Sequence, residues 1–269
     1  MKKIKFTTYN NLKVRYSIEG IGTSVVLLHG FLESLAIFSE FTNDLAKHFQ
    51  VICIDIPGHG KSQVNSNNSM EYIADTVNFV LAELRIEKFF IFGHSMGGYA
   101  TLAFVEKYPA KVKGFGLLHS HPYADSDEKA DSRIKEIELI RQGGKEKMYS
   151  INSPKMFADE NLLKFKKEVD FAKLLAKQTP DEGIISCIFA MKNRKDMSTF
   201  LKNSTLPFLM IQGKKDNYID YKKVAVNIQL PKDGQKFVLE NSGHIGFIEE
   251  KNVFLSTLKQ FVTNNETEL

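Results

Sequence analysis

The stretch FFIFGHSMGGYA, residues 89–100 of this 269-residue chain, decides the fold. Its first four residues form a short apolar run that predicts a buried strand. An apolar-periodic segment from Met96 to Tyr108 follows and predicts a helix. Gly93 and Gly97 flank Ser95, and this spacing is typical of a sharp strand-to-helix turn that exposes the serine at the helix N-terminus.

Similar apolar runs, rich in Val, Ile and Phe, recur on both sides of this stretch, with helical patterns between most of them. Nearly continuous apolar runs are typical of strands buried on both faces of a parallel sheet. The first two runs alternate apolar and polar residues and therefore predict an antiparallel hairpin. The order predicts a doubly wound α/β sheet flanked by helices. The predicted strands are Lys3–Thr8, Leu12–Ile18, Val25–Leu28, Val51–Asp55, Phe89–Phe92, Gly114–Leu118, Leu206–Ile211 and Lys236–Leu239, and the predicted helices are Ala36–His48, Met70–Leu84, Met96–Tyr108, Val224–Leu230 and Glu249–Val262.

The alternation stops between Pro122 and Ser204, where no convincing strand occurs. This segment contains helical patterns broken by glycine and proline, so it predicts a helical insertion between two sheet strands. We therefore expect a catalytic core made of residues 1–121 and 205–269, with residues 122–204 forming a helical cap. The predicted helices of the insertion are Glu128–Arg141, Glu160–Gln178 and Asp181–Met191.

The composition excludes several classes of protein. Hydrophobic residues make up 43% and charged residues 25%, the profile of a soluble globular chain. The net charge of +4 is too small to predict a nucleic-acid partner. Two cysteines, Cys53 and Cys187, exclude a disulfide scaffold and a four-cysteine zinc site. The first residues lack the apolar region of a signal peptide, and no run of 18 apolar residues predicts a membrane span. We therefore expect a cytoplasmic protein.

Ser95 is the candidate nucleophile, because the N-terminus of the predicted helix supplies N–H groups and a positive dipole end to an oxyanion. The alternative is a tight glycine turn in which the serine caps the helix. A nucleophilic serine also needs a base, and the base needs an acid to orient it. In this architecture the three follow the chain order serine, acid, histidine, with the acid and the histidine in loops that follow strands.

Asp216 and His244 fit these two positions. Asp216 follows the predicted strand Leu206–Ile211, and His244 follows the last predicted strand beside a glycine. The alternative roles are a turn aspartate and a capping histidine. Asp220 is the rival acid, and its other role is to cap the following helix.

An oxyanion hole requires two backbone N–H groups. One is expected from Met96, the residue after the nucleophile, and the other from the loop after the strand Val25–Leu28. In that loop, Gly30 permits an unusual backbone and Phe31 would present its N–H. His29 is expected to hydrogen-bond loop carbonyls and to play a structural part.

Other motifs point away from nucleotide and metal chemistry. Gly60-Lys61-Ser62 ends like a phosphate-binding loop, but the required earlier glycine is replaced by Asp55. No metal-binding or dinucleotide motif occurs, so we predict no metal and no cofactor. His119 and His121 end a predicted strand at the edge where open α/β folds bind ligands. His121 is a possible substrate-binding residue, with simple packing as the alternative, and the role of His119 stays open.

The chain resembles the α/β-hydrolase superfamily, and most closely its esterase and lactonase branch of carboxylesterases and 3-oxoadipate enol-lactonases. Five motifs in family order carry this resemblance, namely HGF at 29–31, DIPGHGKS at 55–62, GHSMGG at 93–98, GKKD at 213–216 and GH at 243–244. The resemblance implies an eight-stranded, mostly parallel sheet with an antiparallel second strand. It also implies a triad of Ser95, Asp216 and His244, oxyanion N–H groups from Phe31 and Met96, and a helical cap over the site. The serine nucleophile departs from the branches that attack through a carboxylate, and the absence of tryptophan excludes a halide-binding tryptophan pair.

These features predict a serine hydrolase that cleaves a small or medium carboxylic ester, thioester or lactone through an acyl-enzyme. The same triad also permits acyl transfer, carbon–carbon bond hydrolysis or lyase chemistry, and the fold alone could serve as a non-catalytic ligand-binding module. The expected partner is a small acyl substrate, and monomer and homodimer both remain open. The cap carries apolar residues that are candidates to face the substrate, although most are expected to pack on the core. They are Ile137, Ile140, Met148, Met156, Phe157, Leu163, Phe171 and Ile188.

Overall fold

The computed structural model describes residues 2–266, and of residues 225–227 it describes only the backbone. Eight strands form one sheet in the order β1-β2-β4-β3-β5-β6-β7-β8. Strand β2 runs antiparallel to both of its neighbours, and the remaining pairs are parallel. The sequence-based expectation of a mostly parallel sheet with an antiparallel second strand is therefore confirmed. The strands are β1 (Lys3–Tyr9), β2 (Leu12–Glu19), β3 (Ser24–Leu28), β4 (Gln50–Ile54), β5 (Phe89–His94), β6 (Val112–Leu118), β7 (Phe208–Gly213) and β8 (Gln235–Leu239).

The central strands separate two apolar cores. Side chains alternate across each strand, so Val25 and Leu27 of β3 enter one core while Val26 and Leu28 enter the other. Helices α2 (Met70–Glu83) and α3 (Met96–Lys107) cover one face, and α1 (Ser39–Leu45) and α11 (Lys251–Asn264) cover the opposite face. Burial on both faces explains why the sequences of these strands are nearly continuous apolar runs.

Several boundaries differ from the sequence-based prediction. The segment predicted as a helix from Ala36 to His48 begins with a short 3₁₀ turn, and only α1 is α-helical. The C-terminal helix is divided into α10 (Gly246–Glu249) and α11. Helix α9 (Tyr221–Asn227) starts three residues earlier than predicted, because the Asp220 carboxylate accepts hydrogen bonds from two of its first N–H groups.

The segment from 122 to 204 lies between β6 and β7 and contains five helices, two of which were not predicted. Helix α5 (Lys145–Lys155) has Pro154 in its last turn, so the proline does not exclude a helix there. Helix α6 starts later than predicted, because a 3₁₀ turn and an irregular stretch precede it. We call residues 122–204 the helical segment. Its helices are α4 (Asp127–Arg141), α5 (Lys145–Lys155), α6 (Lys166–Gln178), α7 (Asp181–Lys192) and α8 (Ser198–Lys202).

The carboxyl ends of β3, β5, β6, β7 and β8 meet at one edge of the sheet, because these strands run parallel. The loops that leave this edge carry all of the candidate site residues. The helical segment also begins there, directly after β6. Among the described residues, no helix is long and apolar enough to cross a membrane.

Candidate active site

Ser95 occupies the turn between β5 and α3 in a strained backbone conformation, with φ of 50° and ψ of −116°. Non-glycine residues rarely adopt positive φ, and the surrounding structure must hold such a residue in place. Three hydrogen bonds do so. The Ser95 N–H donates to the carbonyl of Leu118 at 3.0 Å, and the Ser95 carbonyl accepts from Gly98 N–H at 2.9 Å and from the Ser120 hydroxyl at 2.8 Å. The Ser95 side chain makes no capping bond to α3, so the capping alternative is wrong.

The glycines of the turn are required by close backbone contacts. A Cβ atom at Gly93 would collide with the carbonyl of Gly97, and a Cβ atom at Gly97 would collide with the carbonyl of Leu28. These contacts let β5, α3 and β3 approach each other around Ser95. The spacing of Gly93 and Gly97 around Ser95 is therefore a steric requirement of this turn.

Asp216 and His244 are brought together from the loops after β7 and β8. The Nδ1 atom of His244 lies 2.7 Å from Oδ2 of Asp216, and the aspartate side chain is fully buried. His244 is 4% exposed and lines the same cavity as Ser95. Among residues 2–266 no hydrogen bond joins the Ser95 hydroxyl to His244. Such bonds are often long without substrate and shorten in the complex.

The Asp216 carboxylate is ionised despite its burial. Burial disfavours the charge, but the neighbouring His244 and His119 outweigh it and hold the pKa of Asp216 well below its ordinary value. Its other oxygen, Oδ1, accepts the backbone N–H groups of Tyr218 at 2.8 Å and Ile219 at 3.0 Å. The carboxylate therefore has a fixed orientation and a permanent negative charge beside His244.

The loop after β3 contains Phe31, which lines the cavity. The N–H of Gly30 donates to Glu33 at 2.6 Å, and the N–H of Leu32 donates to Nε2 of His59 at 3.1 Å. Between them, the N–H of Phe31 has no hydrogen-bond partner within residues 2–266. Met96 is the first residue of α3, so its N–H has no partner inside the helix either.

The buried pair of Glu33 and His94 was not predicted from the sequence. Their side chains are 3.0 Å apart and 2% and 0% exposed, and Nε2 of His94 also contacts the backbone carbonyl of His244 at 2.7 Å. Burial opposes both charges, yet mutual attraction raises the pKa of His94 and lowers that of Glu33. The pair joins the Phe31 loop to the His244 loop. Position 94 lies between the motif glycine and Ser95, but no sequence signal connected it to Glu33.

Asp220, the alternative candidate for the triad acid, and His29 both make contacts typical of structural residues. Asp220 caps α9 through Lys222 and Lys223, and its carboxylate does not contact His244. His29 contacts the carbonyl of Gly30 at 2.8 Å and accepts the N–H of Ile56 at 2.9 Å, as expected of a structural residue.

His121 lies on the cavity wall, where its Nε2 atom is 3.3 Å from the Tyr99 hydroxyl. Burial and the nearby Arg194 lower its pKa to about 4, so the ring is neutral near pH 7. Its part in substrate binding remains a prediction.

A cavity of about 810 Å³ lies between the sheet edge and the helical segment. Of the eight apolar residues considered for the substrate-facing wall, only Met156 lines it. Five others are buried elsewhere, whereas Leu163 is 91% and Phe171 36% exposed. Most of these candidates therefore pack on the core, as expected, and Met156 is the one that lines the cavity. The wall contributed by the start of the helical segment is polar and charged, and consists of Asp125, Ser126, Glu128, Lys129, Ser132, Arg133 and Glu136.

The polarity of this wall follows from the way α4 packs. Arg133 is 9% exposed, with Nε 3.2 Å from Asp125 and Nη1 3.3 Å from Glu136. Arg194 also contacts Asp125, at 2.7 Å. Buried charges are tolerated when they are paired in this way. The apolar face of α4, with Ile137 and Ile140, packs inward and leaves the charged face to the cavity.

Comparisons with known proteins give a consistent result. Residues 23–137 match the model of a family described as having the alpha/beta hydrolase fold. A pimeloyl-[acyl-carrier protein] methyl ester esterase from Yersinia pseudotuberculosis serotype O:1b is 24% identical over 253 residues, which cover 90% of this chain and 94% of the relative. The AB hydrolase superfamily protein YisY from Bacillus subtilis is also 24% identical, over 90% of this chain and 92% of its own.

Solved structures show the same fold. An esterase from Thermogutta terrifontis superposes with a TM-score of 0.92 at 23% identity, covering 99% of this chain and all of the other. The enol-lactonase from Burkholderia xenovorans LB400 superposes with a TM-score of 0.88 at 21% identity, covering 96% of this chain and all of the other. The eight-stranded sheet and its helical layers are therefore those of a well-populated architecture.

Proposed function

Since the chain has the α/β-hydrolase fold, we propose that it is a serine hydrolase that cleaves small or medium carboxylic esters, thioesters or lactones. One observation carries the proposal: Ser95, in its strained turn, lines the same cavity as His244, and the Nδ1 atom of His244 lies 2.7 Å from the buried Asp216 carboxylate. This set of groups is the one that acyl transfer through a serine requires.

In the proposed mechanism, His244 accepts the Ser95 hydroxyl proton while the serine oxygen attacks the substrate carbonyl. Asp216 keeps the imidazole oriented and stabilises its charged form. The N–H groups of Phe31 and Met96 receive the oxyanion, and each such donor contributes about 3 kcal/mol to transition-state stability. His244 then donates its proton to the leaving alkoxide or thiolate. Water repeats the cycle on the acyl-enzyme, releases the acid and restores the serine.

The α4 wall of the cavity favours a polar substrate group over a long aliphatic chain, whereas Phe31, Met156 and Met191 line other parts of the cavity. Its charged wall on α4 would lose hydration against an acyl chain and gain no hydrogen bond in return. We therefore propose a short acyl group, or a longer one that carries polar atoms. The names of the similar proteins, a methyl ester esterase, an esterase and an enol-lactonase, support ester or lactone hydrolysis as the reaction.

Hydrolysis of p-nitrophenyl acetate by the wild type and by Ser95→Ala tests the proposal. We expect Ser95→Ala to lose at least a thousandfold in kcat, because only the oxyanion donors and substrate binding then remain to assist the reaction. The matched control is Ser256→Ala, which removes an exposed hydroxyl on α11 and should leave the rate unchanged. A fluorophosphonate probe should label the wild type at Ser95 alone. Equal rates in the wild type and Ser95→Ala would contradict the proposal.

A further inference from the structure

His119 and Ser120, at the end of β6, contact all three segments that carry the proposed triad. The Ser120 hydroxyl donates to the backbone carbonyl of Ser95 at 2.8 Å. The Nδ1 atom of His119 lies 3.8 Å from Oδ2 of Asp216, the oxygen that also contacts His244. The proposed mechanism assigns no role to His119, although its side chain is completely buried at the centre of this arrangement.

Both ring nitrogens of His119 face backbone N–H groups. The N–H of Gly246, two residues after His244, points at Nε2 from 3.1 Å. The N–H of Gly213, at the end of β7, points at Nδ1 from 3.1 Å. A neutral imidazole has one protonated nitrogen and one acceptor nitrogen, so it can satisfy only one of the two.

The Asp216 carboxylate decides between the two tautomers. With the proton on Nε2, that proton faces the Gly246 N–H, and the lone pair of Nδ1 faces the carboxylate. With the proton on Nδ1, its positive charge faces the carboxylate across 3.8 Å, which is an electrostatic contact longer than a hydrogen bond. Gly246 then donates to Nε2, and only the Gly213 N–H is mismatched. The tautomer with its proton on Nδ1 has one unfavourable contact and the tautomer with its proton on Nε2 has two, so the proton on Nδ1 is favoured. An imidazolium is worse than either tautomer, because both of its N–H groups face N–H groups.

The surrounding chain is shaped to accept this ring. A Cβ atom at Gly246 would lie 2.7 Å from Nε2 of His119, so glycine at 246 makes room for the contact. His119 itself has φ of 47°, a conformation uncommon for a non-glycine residue. Such strain persists only where neighbouring contacts hold the residue, and here its N–H donates to Ile211 at 2.8 Å.

We propose that His119 is a positioning residue for the Asp216–His244 pair, which it serves as a neutral ring with its proton on Nδ1 directed towards Asp216. Through Nε2 it also holds the start of α10, and with it the segment that carries His244. This inference rests on the proposed function, because it assigns His244 and Asp216 their catalytic roles.

The titratable groups that face His119 are Asp216, His244 and His94, the last paired with Glu33. Burial lowers the pKa of His119 to about 4, against the opposing effect of Asp216. His119 therefore stays neutral and does not compete with the charged form of His244 for the carboxylate. The site can thus contain two histidines beside one aspartate, with His244 alone accepting the proton from Ser95.

Ring ¹⁵N NMR of the histidines tests the tautomer without any need for turnover. We expect His119 to show one protonated nitrogen, Nδ1, and no titration between pH 5 and pH 8. Protonation on Nε2, or titration within this range, would overturn the proposal. Because Ser95→Ala should give the same His119 spectrum, this result stands apart from the outcome of the hydrolysis test.

Activity tests the positioning role through two variants. His119→Asn keeps an amide N–H near the position of Nδ1, and asparagine tolerates positive φ. His119→Gln extends towards Gly246 and loses the N–H that faces Asp216. For His119→Gln we expect kcat to fall about tenfold to a hundredfold, the range for a misplaced catalytic group. The KM for p-nitrophenyl acetate should stay within about twofold, because His119 does not line the cavity.

The pH–rate profile separates positioning from simple packing. Without the His119 N–H facing Oδ2, the Asp216 carboxylate attracts the proton of His244 more strongly, so in His119→Gln the acidic limb of the profile should move up by about half a unit. His119→Asn should restore the wild-type limb and most of kcat. His48→Gln, an exposed surface change, is the control. The proposal would be overturned if the acidic limb moved in neither His119→Gln nor His119→Asn and if their losses of activity followed their losses in Tm. That result would indicate a purely structural role for His119.

Discussion

Asp216 and His119 at the sheet edge and Arg133 in the helical segment are held by different means. At the edge, Asp216 accepts two backbone N–H groups and His119 contacts two more, so the backbone itself fixes both side chains. In the helical segment, Arg133 is held by other side chains, Asp125 and Glu136. A side chain fixed by backbone has one geometry, whereas a network of side chains can rearrange. From this contrast we expect the edge to carry the chemistry and the helical segment to select the substrate.

The largest effect is expected from a change at the edge. Asp216→Asn should lower kcat for p-nitrophenyl acetate by about four orders of magnitude, because an amide favours the wrong imidazole tautomer. Asp220→Asn is the matched control. It keeps the cap of α9, since asparagine is an equally good capping residue, and should leave kcat within about twofold. A similar loss in both variants would show that Asp216 has no special role.

A smaller effect is expected from the charged wall of the helical segment. Because an apolar chain would desolvate this wall, kcat/KM should fall about tenfold or more from p-nitrophenyl butyrate to p-nitrophenyl decanoate. Lys129→Met replaces a charged residue of the wall with an apolar one of similar length. The variant should reduce the fall while keeping the butyrate rate. A wild type that prefers decanoate would contradict the assignment of a polar substrate.

The same contrast explains what the sequence could predict. The strands, Ser95, Asp216 and His244 follow from short patterns, because burial on two faces and steric limits around one turn impose residue types at fixed spacings. The Glu33–His94 pair and the contacts of His119 could not be found, since they join residues 61 and 97 positions apart whose identities have no mutual signal. The polar character of the cavity wall on α4 could not be predicted from the sequence for another reason. Apolar periodicity in α4 marks the face that packs on the core, and the cavity receives the opposite face.

A thermodynamic effect is expected at the junction of the two loops beside Ser95. Since Glu33 raises the pKa of His94 above its ordinary 6.5, the pair contributes stability that is full below pH 6.5 and is lost as pH rises through the higher value. Since His94 lowers the pKa of Glu33 below its ordinary 4.5, its contribution is full above pH 4.5 and is lost at lower pH. The difference in Tm between wild type and Glu33→Gln should therefore be largest between pH 4.5 and 6.5.

Differential scanning fluorimetry across pH 4 to 9 measures this difference. The amide introduced by Glu33→Gln still offers an oxygen to the N–H of Gly30, so the variant is expected to fold. Glu40→Gln, an exposed change on α1, is the control and should follow the wild type at every pH. A Tm difference that is constant with pH would show that Glu33 and His94 are not an ion pair.

The smallest effect separates the two kinds of apolar residue in the helical segment. Leu163 and Met156 both belong to the apolar set that the sequence offered for the cavity, but Leu163 is 91% exposed whereas Met156 is 8% exposed and lines the cavity. Leu163→Ser should change the free energy of unfolding by less than about 0.5 kcal/mol and leave KM unchanged, because the side chain is already hydrated. Met156→Ser should cost about 2 kcal/mol or more and raise KM for p-nitrophenyl butyrate, because it removes packing atoms and one apolar part of the wall. Urea unfolding and steady-state kinetics on both variants give the comparison. An increase in KM for Leu163→Ser would mean that substrate contacts this residue, and that the helical segment closes on the cavity further than the structure shows.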